Sequence, residues 1–381
     1  MPFQSVDQLQ NILTKDVFHY AKDSKKAAGR ALGTLVEVVT FYLLKAWGYA
    51  SSVAIERGLA EYGNPNITHN VEYSLHPVSF CRRLILKRLK APLSVGKLLK
   101  VIKRELPFLE EYESRSQVLL SKDGVLRNSC AIAHNQHEIY LCLLHEIGKN
   151  WVSVDIVGHY RSPYAMFECK RVGVEEGTKK GPQTIEKAKQ GAYVARAVSA
   201  LQKIRTSSGE LYAVIPQRDG SLYAKPYEQM IAEVLASSSP DLLRDFVLTI
   251  GVVSNHGNWF TSDNPNKELL VLAQSYDWLL FLTDKGLSEF INDVLISPNP
   301  ELQPARKAFL RSYKANKKKN QFTKVQIHIA ADHALQAYFK QHLTRIESWF
   351  NVISPPHSNT AVLKGQIAQL AQKDWKRILD K

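Results

Sequence analysis

The chain is poor in cysteine: four in 381 residues, at Cys81, Cys130, Cys142 and Cys169, with no C-x-x-C pair among them. That excludes a zinc ribbon or a disulfide framework and points to a reducing compartment, the cytoplasm. No G-x-x-x-x-G-K-[ST] run is present, so a self-contained ATP-driven motor is not expected. No G-x-S-x-G is present either, which removes the nucleophile-elbow hydrolases. There is no signal peptide, and no apolar run approaches the length a membrane helix needs; Trp278 to Leu282 is apolar but far too short. No membrane association is therefore expected. No internal repeat is evident, and under a cytoplasmic reading the sequon Asn66-Ile67-Thr68 is a chance match.

Positive charge, by contrast, is abundant. Fifty Lys and Arg against 36 Asp and Glu leave a formal net charge of +14. The excess is clustered. One cluster holds Arg82, Arg83, Lys87, Arg88, Lys90, Lys97, Lys100, Lys103 and Arg104; a later one holds Arg306, Lys307, Arg311, Lys314, Lys317, Lys318, Lys319 and Lys324. Apolar residues interleave both, as in folded segments. Basic stripes of this kind attract phosphates and make binding salt-dependent. With 45% hydrophobic residues the chain can bury a substantial core, as one large domain or two.

The stretch VSVDIVGHYRSPYAMFECKRV, from Val152 to Val172, is the most informative. Val152, Val154 and Ile156 alternate with Ser153, Asp155 and Val157. Farther on, Tyr164, Met166, Glu168 and Lys170 alternate with Ala165, Phe167, Cys169 and Arg171. Strict alternation predicts two strands, with Glu168 and Lys170 on one face. Gly158 to Pro163 contains turn residues, so a hairpin is expected, and it would bring Asp155 beside Glu168 and Lys170. Two carboxylates and an amine on one patch are costly without a balancing cation, which points to a metal site. The alternative is a partly buried ion pair of Glu168 with Lys170 or Arg171.

Asp155 followed by Glu168-Cys169-Lys170 resembles the signature of the PD-(D/E)xK nuclease superfamily, most like a type II restriction endonuclease. Val154 stands where a proline often precedes the first acid. Asp23-Ser24-Lys25 and Asp374-Trp375-Lys376 share the acid-x-Lys spacing, but they lie in charged, helix-like surroundings that read as solvated faces. The flanks extend the resemblance over roughly Gly33 to Val253. Arg30 to Gly48 predicts an amphipathic helix with Glu37 inside its apolar run and Gly48 as its stop. Tyr49 to Arg57 and Asn70 to Leu75 are strand-like. Thr184 to Arg205 predicts a helix with small residues on one face, and Leu211 to Pro216 and Phe246 to Ser254 predict buried strands. The resemblance implies an α/β (α+β) fold: a mixed central sheet flanked by helices, with added helical segments.

The resemblance further implies Mg²⁺-dependent hydrolysis of phosphodiester bonds in double-stranded DNA. Asp155 and Glu168 would hold the ion, with the backbone carbonyl of Cys169 as a further ligand. Lys170 would orient or deprotonate the water. Glu37 would add to the metal site, or else pair with a nearby Lys or Arg. Lys179, Lys180, Gln183, Lys187 and Gln190 would contact DNA. Asn255, His256 and Asn258, in the loop SNHGNWFTSD, are candidates for reading base edges. A repair or transposition nuclease and a catalytically silent DNA-binding module are the alternatives. An HNH arrangement around His134, Asn135, His137 and His145 lacks the bracing cysteine pairs. Residues 1–300 are expected to form the nuclease domain, with a basic helical excursion near 77–127. Residues 301–381 are expected to be a basic, mainly helical region for DNA binding or dimerisation, and a homodimer would match palindromic sites.

Overall fold

The computed structural model describes residues 11, 13–18, 24–61, 63–173, 191–217, 219–256, 267–313 and 320–379. The helix Ser24–Leu44 is its first long element. Leu32, Leu35, Val36, Val39 and Leu43 recur at helical spacing, and all five are buried. The helix widens into a terminal π-helical turn at Lys45–Tyr49, where Gly48 takes φ of 95°. Only glycine adopts that backbone without strain, so the predicted stop is real. Ala27–Tyr49 also reaches the length and hydropathy of a membrane-crossing helix, the one such among the described residues, against expectation. Its apolar faces are spent inside the fold: 67% of the apolar window is buried.

A six-stranded mixed sheet forms the centre, in the order Val53–Ile55, Tyr73–Leu75, Ala165–Gly173, Leu248–His256, Trp278–Leu282 and Phe350–Ser354. The strands Ala165–Gly173, Leu248–His256 and Trp278–Leu282 run parallel to one another; the outer pairings are antiparallel. Alternation divides the Ala165–Gly173 strand between two cores. Phe167 and Cys169 pack with the Ser24–Leu44 helix, whereas Met166 joins Ala192, Ala195 and Tyr276. The Trp278–Leu282 strand and the first part of Leu248–His256 read as nearly continuous apolar runs because both faces are covered.

The predicted hairpin does not form. Trp151–Tyr160 belongs to a second, antiparallel sheet, ordered Val78–Lys87, Trp151–Tyr160, Glu138–Ile147, Cys130–His134 and Glu113–Ser114. This sheet has its own core, in which Val152, Val154 and Ile156 pack with Leu98, Leu99 and Ile102 of the helix Val95–Glu105. Alternation therefore identified both strands correctly, while the link Gly158 to Pro163 carries the chain from one sheet to the other. The excursion near 77–127 thus mixes strands with a helix of 11 residues and the short 3-10 helix Pro107–Glu111. Residues 191–198 are helical as expected, but Gln202–Arg205 is a strand of a three-stranded sheet with Leu211–Pro216 and Leu222–Pro226.

The C-terminal region is mainly helical but is no appendage. Phe350–Ser354 forms an edge of the central sheet, and Tyr42 donates 2.7 Å to Asp332 of the helix Ile329–Gln341.

Candidate functional site

Glu168 and Lys170 share a face of the Ala165–Gly173 strand, as their spacing predicts. Glu168 is 6% exposed, and its Oε1 lies 2.5 Å from Lys170 Nζ. Its Oε2 accepts a 3.2 Å hydrogen bond from the backbone N–H of Glu72. Glu72 directly precedes the Tyr73–Leu75 strand, which pairs antiparallel beside Glu168 through Phe167 and Tyr73. Its carboxylate lies 4.0 Å from Lys170 Nζ and in close contact with Lys324 Nζ.

Glu37 reaches this cluster from the helix that covers the opposite face, with its carboxylate 3.3 Å from Lys324 Nζ. The hydroxyl of Tyr73 donates 2.7 Å to the Glu37 carbonyl and so ties helix to strand. Glu56 completes the group 3.2 Å from Lys324. It holds a left-handed backbone, φ 49°, in the link after the Val53–Ile55 strand. A non-glycine residue there is strained, and such strain concentrates at functional sites.

Four carboxylates, Glu37, Glu56, Glu72 and Glu168, thus surround two ammonium groups, Lys170 and Lys324. If all are ionised the formal balance is −2. The surroundings resist that charge. Burial pushes the Glu168 carboxyl above its ordinary range, and Lys170 only partly offsets this. Burial likewise raises Glu37, against the pull of Lys324. Among the described residues, no three acidic, histidine or cysteine side chains already clasp a common point as metal ligands. Lys324 instead stands between Glu37, Glu56 and Glu72.

Small residues let the far side close tightly. A Cβ at Gly191 would lie 2.8 Å from Glu168 Cγ and 2.7 Å from the Tyr276 hydroxyl. At Gly251, which pairs with Glu168 across the parallel ladder, a Cβ would meet the Tyr276 ring at 2.7 Å. The two glycines and Tyr276 therefore fix the wall behind the carboxylate.

Asp155 is the correction. It lies on the second sheet, directly opposite Arg83 in register, and the two form a bidentate pair at 2.7 and 2.9 Å. That pair satisfies its charge away from Glu168. Cys169 lies between Glu168 and Lys170 in the strand, but its thiol faces the helix core and burial pushes its pKa up. Lys179, Lys180, Gln183, Lys187, Gln190 and Asn258 lie outside the described residues; Asn255 and His256 close the Leu248–His256 strand, paired with Val172 and Gly173. His134 lies 3.6 Å from Glu113, and His137 and His145 are exposed, an arrangement with no HNH-like cluster.

Sequence reading missed Glu72, Glu56, Lys324 and Gly191. Glu72 had a signal, since it sits in the strand-like NVEYSL that follows the Glu37 helix. Lys324 was read as part of a phosphate-binding cluster; only the fold reveals that it is buried. Comparison of the chain with models of protein families, with curated proteins and with solved structures gives no match.

Proposed function

We propose that the chain is a Mg²⁺-dependent endonuclease of the PD-(D/E)xK type acting on double-stranded DNA, in the manner of a type II restriction enzyme. The observation that carries the reading is the meeting of Glu37 from the Ser24–Leu44 helix, Glu72 from just before the Tyr73–Leu75 strand, and Glu168 and Lys170 from the adjacent Ala165–Gly173 strand. With the second sheet and the three-stranded sheet set aside as insertions, the order helix, two antiparallel strands, the Glu168 strand, a helical segment and a parallel strand is the order expected of that core. Glu72 takes the first-acid role that Asp155 was expected to fill.

The donor set suits Mg²⁺: all ligands would be hard oxygens, and a divalent ion would neutralise the formal −2. Glu72 and Glu168 would hold it, with Glu37 at the margin. When bound, the ion polarises a phosphate oxygen and lowers the pKa of a coordinated water. The chain's own residues do the rest. Lys170 Nζ, 27% exposed and anchored on Glu168, orients the attacking water and offsets charge that develops on the phosphate. The Glu72 amide holds the Glu168 carboxylate at a fixed angle. Arg82, Lys87, Arg88, Lys97 and Lys100 project into solvent from the second sheet and its helix, and supply a surface for backbone phosphates.

One observation supports a second reading. Lys324 already ion-pairs with Glu37, Glu56 and Glu72, as it would in a DNA-binding module whose lysine has replaced the ion. Incubation of long duplex DNA with the protein in Mg²⁺ or EDTA, beside Lys170→Ala, separates the two. Discrete Mg²⁺-dependent fragments that vanish in the variant support the nuclease; a smear keeps the nuclease without sequence specificity; intact DNA bound equally with and without Mg²⁺ supports the silent module.

A further inference from the structure

At one end of the second sheet lies a cavity of about 420 Å³, lined by Ile85, Lys87, Arg88, Asn150 and Trp151. That is an ordinary size for a small-molecule pocket. Strand pairing builds it. Trp151 stands opposite Lys87 across the antiparallel ladder, and Ser153 stands opposite Ile85. Alternation therefore puts Trp151, Ile85 and Lys87 on the outer face, because Leu84, Leu86 and Val152 point into the core. Among the described residues nothing covers that face here: Ile85 is 64% exposed. Trp151 is half-buried. The turn before it fixes the indole. The amide of Gly148 donates 2.9 Å to the Trp151 carbonyl, and a Cβ at Gly148 would overlap the pyrrole ring. With no Cβ in the way, the indole packs on the turn and forms one wall of the cavity. Arg88 lies at the other side; its amide donates 2.7 Å to the Asn150 carbonyl, and it holds a left-handed φ of 60°. A non-glycine residue in that conformation is strained, and such strain concentrates at ligand sites.

The rim is basic. Lys87, Arg88, Lys90 and Lys149 are all exposed. Of the acids on the neighbouring strands, Asp155 is already paired with Arg83, and Glu146 lies across the ladder from Ser153. Positive charge attracts a polyanion, but an indole and an isoleucine offer nothing to a phosphate. The occupant therefore needs an apolar ring as well as negative charge. A base inside a duplex has both faces stacked already. An unpaired base has a free face, and single strands are commonly held by a basic groove with aromatic side chains under the bases. We propose that this cavity takes one unpaired base of a DNA strand, packed on Trp151 and Ile85, with the adjoining phosphates on Lys87 and Arg88. That the strand is DNA rests on the nuclease reading; the base site does not.

The test measures binding by fluorescence anisotropy in EDTA, so that its outcome does not depend on cleavage. The probes are oligo(dT) and an abasic oligonucleotide of equal length, which carries the same phosphates without bases. The wild type should bind oligo(dT) about tenfold more tightly than the abasic strand. Trp151→Ala should bind the two alike, and Trp151→Phe should keep most of the preference. Ile85→Ser changes a solvent-facing side chain, leaves the core untouched, and should lose part of the preference. Lys87→Gln should instead weaken both probes alike, because it meets phosphate only. Equal affinity of the wild type for the two probes would overturn the base site, whatever the protein does to duplex DNA in Mg²⁺. So would an undiminished preference in a folded Trp151→Ala; where that variant does not fold, an undiminished preference in Ile85→Ser overturns the site in the same way. Tighter binding of the matching RNA strand would overturn DNA as the occupant.

Discussion

The backbone amide of Glu72 donates to the side chain of Glu168 across 3.2 Å, though 96 residues separate them in sequence. A residue that is an acid and also orients a second acid through its own amide makes the two act as a unit. Glu72→Gln retains the amide and should leave the fold intact, yet lower Mg²⁺-dependent cleavage as far as Glu168→Gln does. Lys170→Ala should lower cleavage roughly 10²- to 10⁴-fold with DNA binding retained. Asp155→Asn should cleave normally, because Asp155 is paired with Arg83 on the other sheet. Single-turnover rates on one duplex decide among these. A dead Asp155→Asn beside an active Glu72→Gln would reverse the assignment of the first acid.

Gly191 predicts a packing failure at the same site. An alanine methyl there would press on Glu168 Cγ at 2.8 Å and on the Tyr276 hydroxyl at 2.7 Å. Overpacking of this kind costs about 1–3 kcal/mol. Gly191→Ala should therefore lower the urea midpoint and cleavage together, and Tyr276→Phe in the same chain should recover part of the stability. A Gly191→Ala protein as stable and active as the wild type would mean that the helix stands farther from the strand.

These two predictions also mark what the sequence made legible. Period-two alternation located Glu168 and Lys170 on one face, and period-3.6 patterning located Glu37 in a core helix; both are local properties. The partner of Glu168 was not local. The second sheet is inserted between Glu72 and Glu168, and its Trp151–Tyr160 strand carries an acid in the same alternating pattern. Asp155 therefore imitated the first acid at a convenient spacing. What distinguishes it is Arg83 directly across the ladder, and strand pairing is fixed by tertiary contacts that alternation does not encode. Lys324 was hidden for the same reason: a lysine in a basic run reads as solvated until the fold buries it.

Lys324 leads to a prediction about the metal-free protein. Its side chain is 6% exposed and serves Glu37, Glu56 and Glu72. Removing the cation leaves the partly buried carboxylates of Glu37 and Glu72 without it, which destabilises the metal-free fold. In EDTA, Lys324→Met should unfold below the wild-type temperature, and millimolar Mg²⁺ should restore most of the loss. Calorimetry should also find Mg²⁺ bound more tightly by the variant, since a competing charge is gone. Equal Mg²⁺ affinity in the two proteins would show that lysine and ion do not share the carboxylates.

The pH dependence of the site has a definite sign. Glu168 and Glu37 are both held above the ordinary carboxyl value of 4.5, burial being the larger cause. A carboxyl raised in the folded state adds stability that is complete below its unfolded pKa and lost as pH rises through its folded one. In EDTA, then, these groups weaken the fold as pH rises above about 4.5, and Glu168→Gln should weaken that dependence. On the proposed reading Mg²⁺ would bind the ionised form, so its affinity should rise over the same window and binding should release protons. Calorimetry in two buffers of different ionisation enthalpy measures that release. Zero proton release at pH 5 would mean that the carboxylates are already ionised there.

The stacked pair His76 and His159 has the opposite sign. Burial, reinforced by Arg57, pushes His159 down to about 3 and His76 well below its ordinary 6.5. A histidine depressed in the folded state adds stability that is complete above its unfolded pKa and lost as pH falls toward the folded one. Acid should therefore weaken the fold from about pH 6.5 downward, before most carboxylates protonate. His159→Gln can still donate to the Ser51 carbonyl that His159 Nε2 contacts, but it cannot titrate. Urea midpoints at pH 7.5 and 5.0 should differ less in this variant than in the wild type. An unchanged difference would place the acid sensitivity in other groups and would mean that His159 is protonated in the folded protein at no cost.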